Sequence, residues 1–502
     1  MVGQVVIFAA VVCAAPFTIR LLGPAAYGLW ALLQILIVYL VMADLGMRQA
    51  STKFASEAFV SGDDVGEVNA IWTALAVTLT ASCIISLMIG LAAPWIIDTM
   101  HVPADLRNAG IVAVRLIAVA AVATAVANTV NTPQTVRLRW AGLTIATQGP
   151  VVLQIIAIPV ALFIFGGGIR VTTLVVVATA CLAVAANAVF AGRLQPKLVH
   201  PRFDWSLLRK YLGFGGGLTV AGLASVPLMT AERFFLGHFH STVVVAEYSV
   251  AMSLSTVINV IPWTACQPLM PAMSRLHATG DRENLRSMYR QTLQAIFLAL
   301  AGGTIVLGFL AEPFLRLWAG PLYGRHSTDP FLILLVGFCF AGIGYVPYNY
   351  LMSAGRTSLL AKIRLAQLGP FLVVAAVLAD KFGAVGAACA WSGEMVVDMA
   401  LLSWGVWHVD KIIESPTPAR WQVGLALPFA ICVIELGLAR FTDALAVRCG
   451  IAALLLTIYS VLVWLVVLTP SERQGATKIS RVILQRKARR ALPRVLYEEV
   501  AN

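Results

Sequence analysis

Apolar runs long enough to cross a bilayer recur from one end of this chain to the other, and nothing else in it limits the fold as strongly. In lipid such a run is stable only as a helix that closes its own backbone hydrogen bonds. Runs near 2–19, 29–47, 70–97, 109–130, 141–165, 171–191, 212–231, 243–264, 293–312, 331–353, 359–379, 384–405, 422–440 and 449–469 predict about fourteen spans. The connections are short, so no sizeable soluble domain fits between them. Of 502 residues 59% are hydrophobic and 12% charged, with mean hydropathy +0.85. A soluble chain carries about a quarter charged residues. The first run is apolar from Val2, with no basic stretch before it and no small-residue cleavage site. It reads as a first span, interrupted by Pro16, and not as a cleaved signal.

Charge placement orients the chain. The 36 Lys and Arg outnumber 24 Asp and Glu, a net +12. With the N-terminus inside, the cytoplasmic segments together hold most of these bases, and the largest groups are 193–210, 275–290 and the tail after Ser471. That asymmetry predicts cytoplasmic termini and accounts for the basic balance with no nucleic acid as partner. The tail KISRVILQRKARRALPRV mixes bases with apolar residues, and reads either as a segment on the anionic inner leaflet or as an unstructured basic tail. The eight cysteines lie in or beside apolar segments with no C-x-x-C and no metal spacing, as buried small hydrophobes do. GFGGG at 213–217 lacks the G-K-[ST] of a phosphate loop and opens a membrane helix, and GGG at 166–168 reads as a turn. No ATPase signature is present, so no cofactor is expected, and any energy would come from substrate release or from a proton or sodium gradient.

The loop QPKLVHPRFDWSLLRKY at 195–211 divides two sets of helices. The organisation that follows is an N-terminal lobe over 1–192, a basic linker over 193–211, a second lobe over 212–405, an extra pair over 421–469 and a basic tail over 470–502. Each lobe opens alike: a helix, a tight turn, then a Tyr leading a second helix (LLGPAAYGLWALL at 21–33; FHSTVVVAEYSVAMSL at 239–254). A basic amphipathic segment follows in each, RQASTKFASEAF and PAMSRLHATGDRENLRSMYRQ. Duplicated bundles of this kind suit transporters that rock around a central site.

These same residues carry a family resemblance. TIRLLGPAAYGLWALL followed by MADLGMRQASTKFASE resembles the opening of bacterial polysaccharide flippases. AERFFLGHF, AEYSVA, the QPLMPAMSRL stretch and FGAVGAACAW at 382–391 resemble the matching second half; FGGGIRVTTLV is a poor first-half partner of the last. Together they cover about residues 15–60 and 205–400. The family belongs to a larger group with multidrug antiporters and the flippase for the peptidoglycan lipid precursor. The resemblance implies an all-α integral membrane protein, two six-helix lobes around a central cavity plus a C-terminal helix pair, in the bacterial cytoplasmic membrane. It implies as substrate an oligosaccharide on a polyprenyl pyrophosphate, and polysaccharide polymerases and glycosyltransferases of the same pathway as partners beside membrane lipids.

Such a head group is anionic and hydrated, so its passage needs a polar cavity, where Arg matches phosphate oxygens with its planar fork. A charge at bilayer depth costs about 2.5–3.5 kcal/mol and so faces a cavity or a partner. Glu232 and Arg233, side by side at the end of an apolar run, are the first candidates. Neighbours on a helix point about 100° apart, so they are expected to seek different partners. Arg20 ends the first helix in a comparable place, and the expectation is that Arg20 and Arg233 bind the pyrophosphate from the two lobes; the bland alternative is that both anchor at headgroups. Arg115 is a third candidate base. Asp44 is expected to pair with Arg48 or Lys53 more than to couple ions. Glu394 and Asp398, four apart, share a helix face and form a candidate cation or proton site, or else meet a cytoplasmic vestibule. Glu435 reads as a helix-contact residue, and of seven scattered histidines only His238 and His240 lie near the Glu-Arg pair.

Three classes of function compete. A membrane enzyme on the same substrates would need catalytic groups on a long outer loop; the longest, 313–330, offers one Asp and one His without a constellation. A drug or cation antiporter would need several acids in its lobes, and the first spans hold little beyond Asp44. The flippase reading is left as the preferred one.

Overall fold

A computed structural model describes residues 2–41, 46–266, 268–410 and 445–467. The described residues are helical almost throughout, without a strand. Among the described residues ten helices are long and apolar enough to cross a membrane, and the protein is a multi-pass membrane protein. The N-terminal half holds α1 (Val2–Leu22), α2 (Pro24–Val41), α3 (Met47–Val60), α4 (Asp64–Thr99), α5 (Ala104–Val130), α6 (Thr132–Val136), α7 (Trp140–Phe165) and α8 (Gly168–Leu194). The C-terminal half holds α9 (Trp205–Phe239), α10 (Thr242–Ser255), α11 (Val260–Cys266), α12 (Leu269–Thr279), α13 (Arg282–Phe309), α14 (Ala311–Trp318), α15 (Pro321–His326), α16 (Thr328–Ser353) and α17 (Thr357–Asp410), and α18 (Leu445–Leu462) follows. The span expected at 422–440, Asp44, Glu435 and the basic tail lie outside the described residues.

Every other expected span has its helix, and the boundaries follow local chemistry. Gly23, in the left-handed region at φ 76°, turns α1 into α2, whose first residue is Pro24. Asp63 caps α4 by accepting from the Gly66 N–H at 2.8 Å, and Asp281 caps α13 through Asn284. The triple glycine at 166–168 is the turn between α7 and α8, with positive φ at all three residues. The GFGGG stretch lies within α9.

Three details differ from expectation. The span expected at 243–264 is α10 continued through a 3₁₀ turn (Thr256–Asn259) into α11. The basic stretch 271–291 is not one amphipathic segment. Gly280, at φ 70°, ends α12, and the remainder starts the long helix α13. The spans expected at 359–379 and 384–405 form one bent rod, α17, folded back at Gly383 (φ 56°). A Cβ on Gly386 would lie 1.8 Å from the Leu378 carbonyl oxygen, so the bend needs glycine there too. The Gly-Ala opening of FGAVGAACAW is therefore a hairpin.

The halves meet most closely where α2 passes α10. A Cβ on Gly28 would lie 1.7 Å from the Thr242 carbonyl oxygen, so the backbones touch. Buried Leu29, Trp30, Leu32 and Leu33 on α2 share one apolar core with Val245, Tyr248 and Val250 on α10. A second contact joins the start of α9 to the N-terminal half. Tyr211 is fully buried, stacks on Phe54 at 4.9 Å and donates to the Ala70 carbonyl at 2.9 Å. Beside it, fully buried Glu67 receives both arms of Arg137 at 2.5 and 2.9 Å and the Gln195 amide at 2.8 Å. The Arg137 guanidinium also lies 4.7 Å from the Phe59 ring. One carboxylate thus ties α4, the end of α6 and the end of α8 together.

Candidate functional site

Among the described residues, all but Arg115 of the charges that the sequence singled out fall into three places. The first is the seam between α9 and α10. Glu232 is fully buried on α9, where the Tyr248 hydroxyl donates to its Oε1 at 3.1 Å. Arg233 does not turn to a different partner as expected. Its Nε lies 3.6 Å from the same Glu232 Oε1, and its guanidinium sits 5.8 Å from the Tyr248 ring. Backbone geometry points the two side chains apart, but α10 brings Tyr248 between them and the long Arg side chain folds back to meet the anion. Glu232 Oε2 and Arg233 Nε have no hydrogen-bond partner among the described residues. In a buried site, such open positions are where a cation, a proton or an anionic group could enter.

The second place is inside the bend of α17. Glu394 and Asp398 do share a face, and Arg364 from the other arm of the same helix bridges them. Its Nη2 is 3.0 Å from Asp398 Oδ2 and its Nη1 is 3.7 Å from Glu394 Oε1. Gln367 donates to Asp398 Oδ1 at 3.2 Å. Both Glu394 carboxylate oxygens lack a hydrogen bond among the described residues. Two buried carboxylates on one guanidinium leave an excess negative charge in low dielectric, a setting that favours a bound cation or proton. Sequence reasoning missed Arg364. Its signal was present, a base inside the apolar run 359–379, but its partners lie across the bend.

The third place is the rim where α1 ends. Arg20 donates through Nη2 to the Leu317 carbonyl at 2.7 Å, and Trp318 Nε1 donates to the Val12 carbonyl at 2.9 Å. These bonds lace α1 to α14 across the two halves. Arg20 and Arg316 line a cleft of about 400 Å³ there. Each of Arg20 and Arg233 has its own partners, so the two are not brought to one group in this conformation. Arg115 is elsewhere again, on an N-terminal groove between α4, α5 and α8. His238 donates from Nδ1 to the Thr99 carbonyl at 3.1 Å, and His240 from Nε2 to the Ala379 carbonyl at 2.8 Å. Both histidines thus tie helix ends to each other. Arg20→Ala removes a single exposed side-chain bond, so it is expected to change stability by no more than about 1 kcal/mol. Membrane abundance within twofold of wild type would show this.

This is the architecture of a multi-pass helical membrane protein with charge clusters buried within its C-terminal half and a basic rim between the halves. Its fold matches an inward-facing multidrug resistance MATE family transporter of the MOP superfamily, with TM-score 0.69 and 13% identity, covering 82% of this chain and 96% of that one. It also matches the lipid II flippase MurJ in an inward closed conformation, with TM-score 0.68 and 11% identity, covering 92% and 98%. The family model for polysaccharide biosynthesis proteins matches residues 18–325, and the chain belongs to that family. A Shigella flexneri protein that bears the name O-antigen transporter is 25% identical over 220 residues, 44% of this chain and 52% of that protein. The match thus spans about half the length of that relative.

Proposed function

We propose that the protein is a flippase that moves polyprenyl-pyrophosphate-linked oligosaccharide units across the bacterial cytoplasmic membrane, for assembly of a cell-surface polysaccharide. The observation that carries this reading is family membership over residues 18–325 together with buried charge at the α9–α10 seam. A hydrated pyrophosphate head needs bases at that depth, and Arg233 is the base set there, held in place by Glu232 and Tyr248. Arg20 and Arg316 form a second basic station at the rim, where the halves are laced by backbone bonds. Alternating access would break those bonds and open the rim while the other side closes. The placement of Lys and Arg supports cytoplasmic termini, with the α1–α2 turn outside.

Glu232 and Glu394, whose buried carboxylates are incompletely satisfied, and Asp398, which shares the Arg364 guanidinium with Glu394, are the coupling candidates for a proton or sodium gradient. That same acid cluster favours a second reading, a drug or cation antiporter on the same fold.

The test is a deletion complemented with wild type, Arg233→Ala, Glu232→Gln or Arg364→Ala, at matched membrane abundance. The expected result is that deletion strands the polyprenyl-linked intermediate on the cytoplasmic face, and that Arg233→Ala lowers its crossing at least tenfold. If the intermediate crosses normally and only drug tolerance falls, the antiporter reading replaces the flippase.

A further inference from the structure

Arg115 raises a separate question, because neither charge cluster uses it. It lies eleven residues into α5, about 16 Å from that helix's start at Ala104. On the same side of the membrane, the exposed ion pair of Asp98 and Arg107 at 2.7 Å marks the polar end. Exposed Trp95 lies beside it, where aromatic residues meet the interface. Arg115 is thus a guanidinium below the interface, within reach of it only by extending upward.

Its one hydrogen bond to the described residues runs from Nε to the Gly90 carbonyl oxygen on α4 at 3.3 Å. Sequence explains that bond. Pro94, four residues beyond Gly90, has no N–H to return to that carbonyl, so the helix leaves it open. Gly90 itself has no side chain, and the Arg115 stem lies 3.9 Å from where one would begin. The terminal nitrogens of Arg115 have no partner of their own among the described residues.

They border a groove of about 720 Å³ between α4, α5 and α8. Leu87, Leu91, Val119 and Val122 are among its walls, and apart from Arg115 the lining is almost wholly apolar. Ser86 is also in the lining; it is 8% exposed and its hydroxyl has no hydrogen-bond partner among the described residues. A fixed cation above an apolar channel, with a second unpaired polar group in its wall, complements an anionic head on a hydrocarbon chain.

We propose that the groove between α4, α5 and α8 is a binding site for one anionic membrane phospholipid, its chain lying along Leu87, Leu91, Val119 and Val122 and its phosphate held by the terminal nitrogens of Arg115. The leaflet is the one on the side of the α4–α5 turn. Net charge discriminates among heads: a phosphatidylglycerol carries a full negative charge to the guanidinium, whereas a phosphatidylcholine brings its own cation. The bound lipid neutralises a charge that the bilayer disfavours and fills the space beside Gly90 of α4.

The test is native mass spectrometry of the intact protein released from nanodiscs of equal phosphatidylglycerol and phosphatidylcholine. Wild type is expected to retain one phosphatidylglycerol at least tenfold in preference to phosphatidylcholine. Arg115→Gln is expected to lose that preference. Val119→Trp, at an exposed position in the groove wall, leaves the guanidinium in place, fills the groove and is expected to lose the retained lipid altogether. Retention of both lipids in the bulk ratio by wild type, or unchanged phosphatidylglycerol retention in both variants, would overturn the proposal and leave Arg115 as a partner of the Gly90 carbonyl alone. Displacement of phosphatidylglycerol by an equimolar polyprenyl phosphate would also overturn it and assign the groove to the transported lipid. None of these readouts depends on transport, so their failure is distinct from failure of the flippase reading.

Discussion

Replacing Gly28 by valine is expected to abolish complementation by the protein while leaving it in the membrane. A Cβ at this position would lie 1.7 Å from the Thr242 carbonyl oxygen and 3.1 Å from the Ala246 amide nitrogen. Both are backbone atoms of α10, so no rotamer change relieves the clash. Overpacking of this kind costs about 1–3 kcal/mol where side chains can adjust, and more where they cannot. The cheapest relief is separation of α2 from α10, the contact that holds the halves together beside the rim. The closely seamed conformation would then be depopulated at least tenfold. Two measurements check it. Complementation should fall to the level of the deletion. A cysteine at Thr242, in a background without native cysteines, should react faster with an impermeant thiol reagent added on the side of the α1–α2 turn. Wild-type reactivity and full complementation would show that α2 and α10 tolerate a side chain, and the tight seam would have no role.

Glu67→Ala is expected to lower stability by about 3 kcal/mol, the low end for breaking one side of a buried ion pair. Glu67 is fully buried and Arg137 keeps 15% of its side chain exposed, so the stranded guanidinium recovers some solvation. Gln195 would also lose its acceptor. The consequence is loosening where α3, α4, α6 and α8 meet, not loss of any group at the α9–α10 seam. Membrane abundance and the midpoint of thermal aggregation should both fall, and Glu67→Gln should recover part of each by keeping the acceptor for Gln195. A variant with wild-type abundance and midpoint would mean that the Arg137 pair is replaceable by solvent.

Much of the fold was legible because lipid simplifies the code. Apolar length selects helices, and Gly23 and the 166–168 triplet mark turns, where φ is positive. The i, i+4 spacing of Glu394 and Asp398 is enough to put them on one helix face. Their counterion was not legible. Arg364 is brought to them only by the bend at Gly383, whose geometry is long-range. Arg20 and Arg233 look alike in sequence, each near a helix end at matching places in the repeat. The structure separates them, because α14 offers Arg20 a backbone carbonyl and α10 offers Arg233 a tyrosine ring.

Glu67 shows the same limit from the other direction. Its place in the first turn of α4, three residues after Asp64, does not reveal its full burial, which Arg137 and Gln195 from other elements make tolerable. By itself the sequence determined the solvent, the helices and the family. These depend on composition and on spacing along a single segment. Which charge meets which partner was decided only by tertiary structure, since a buried ion is stabilised or stranded by groups within a few ångströms, and those groups come from helices far apart in the chain.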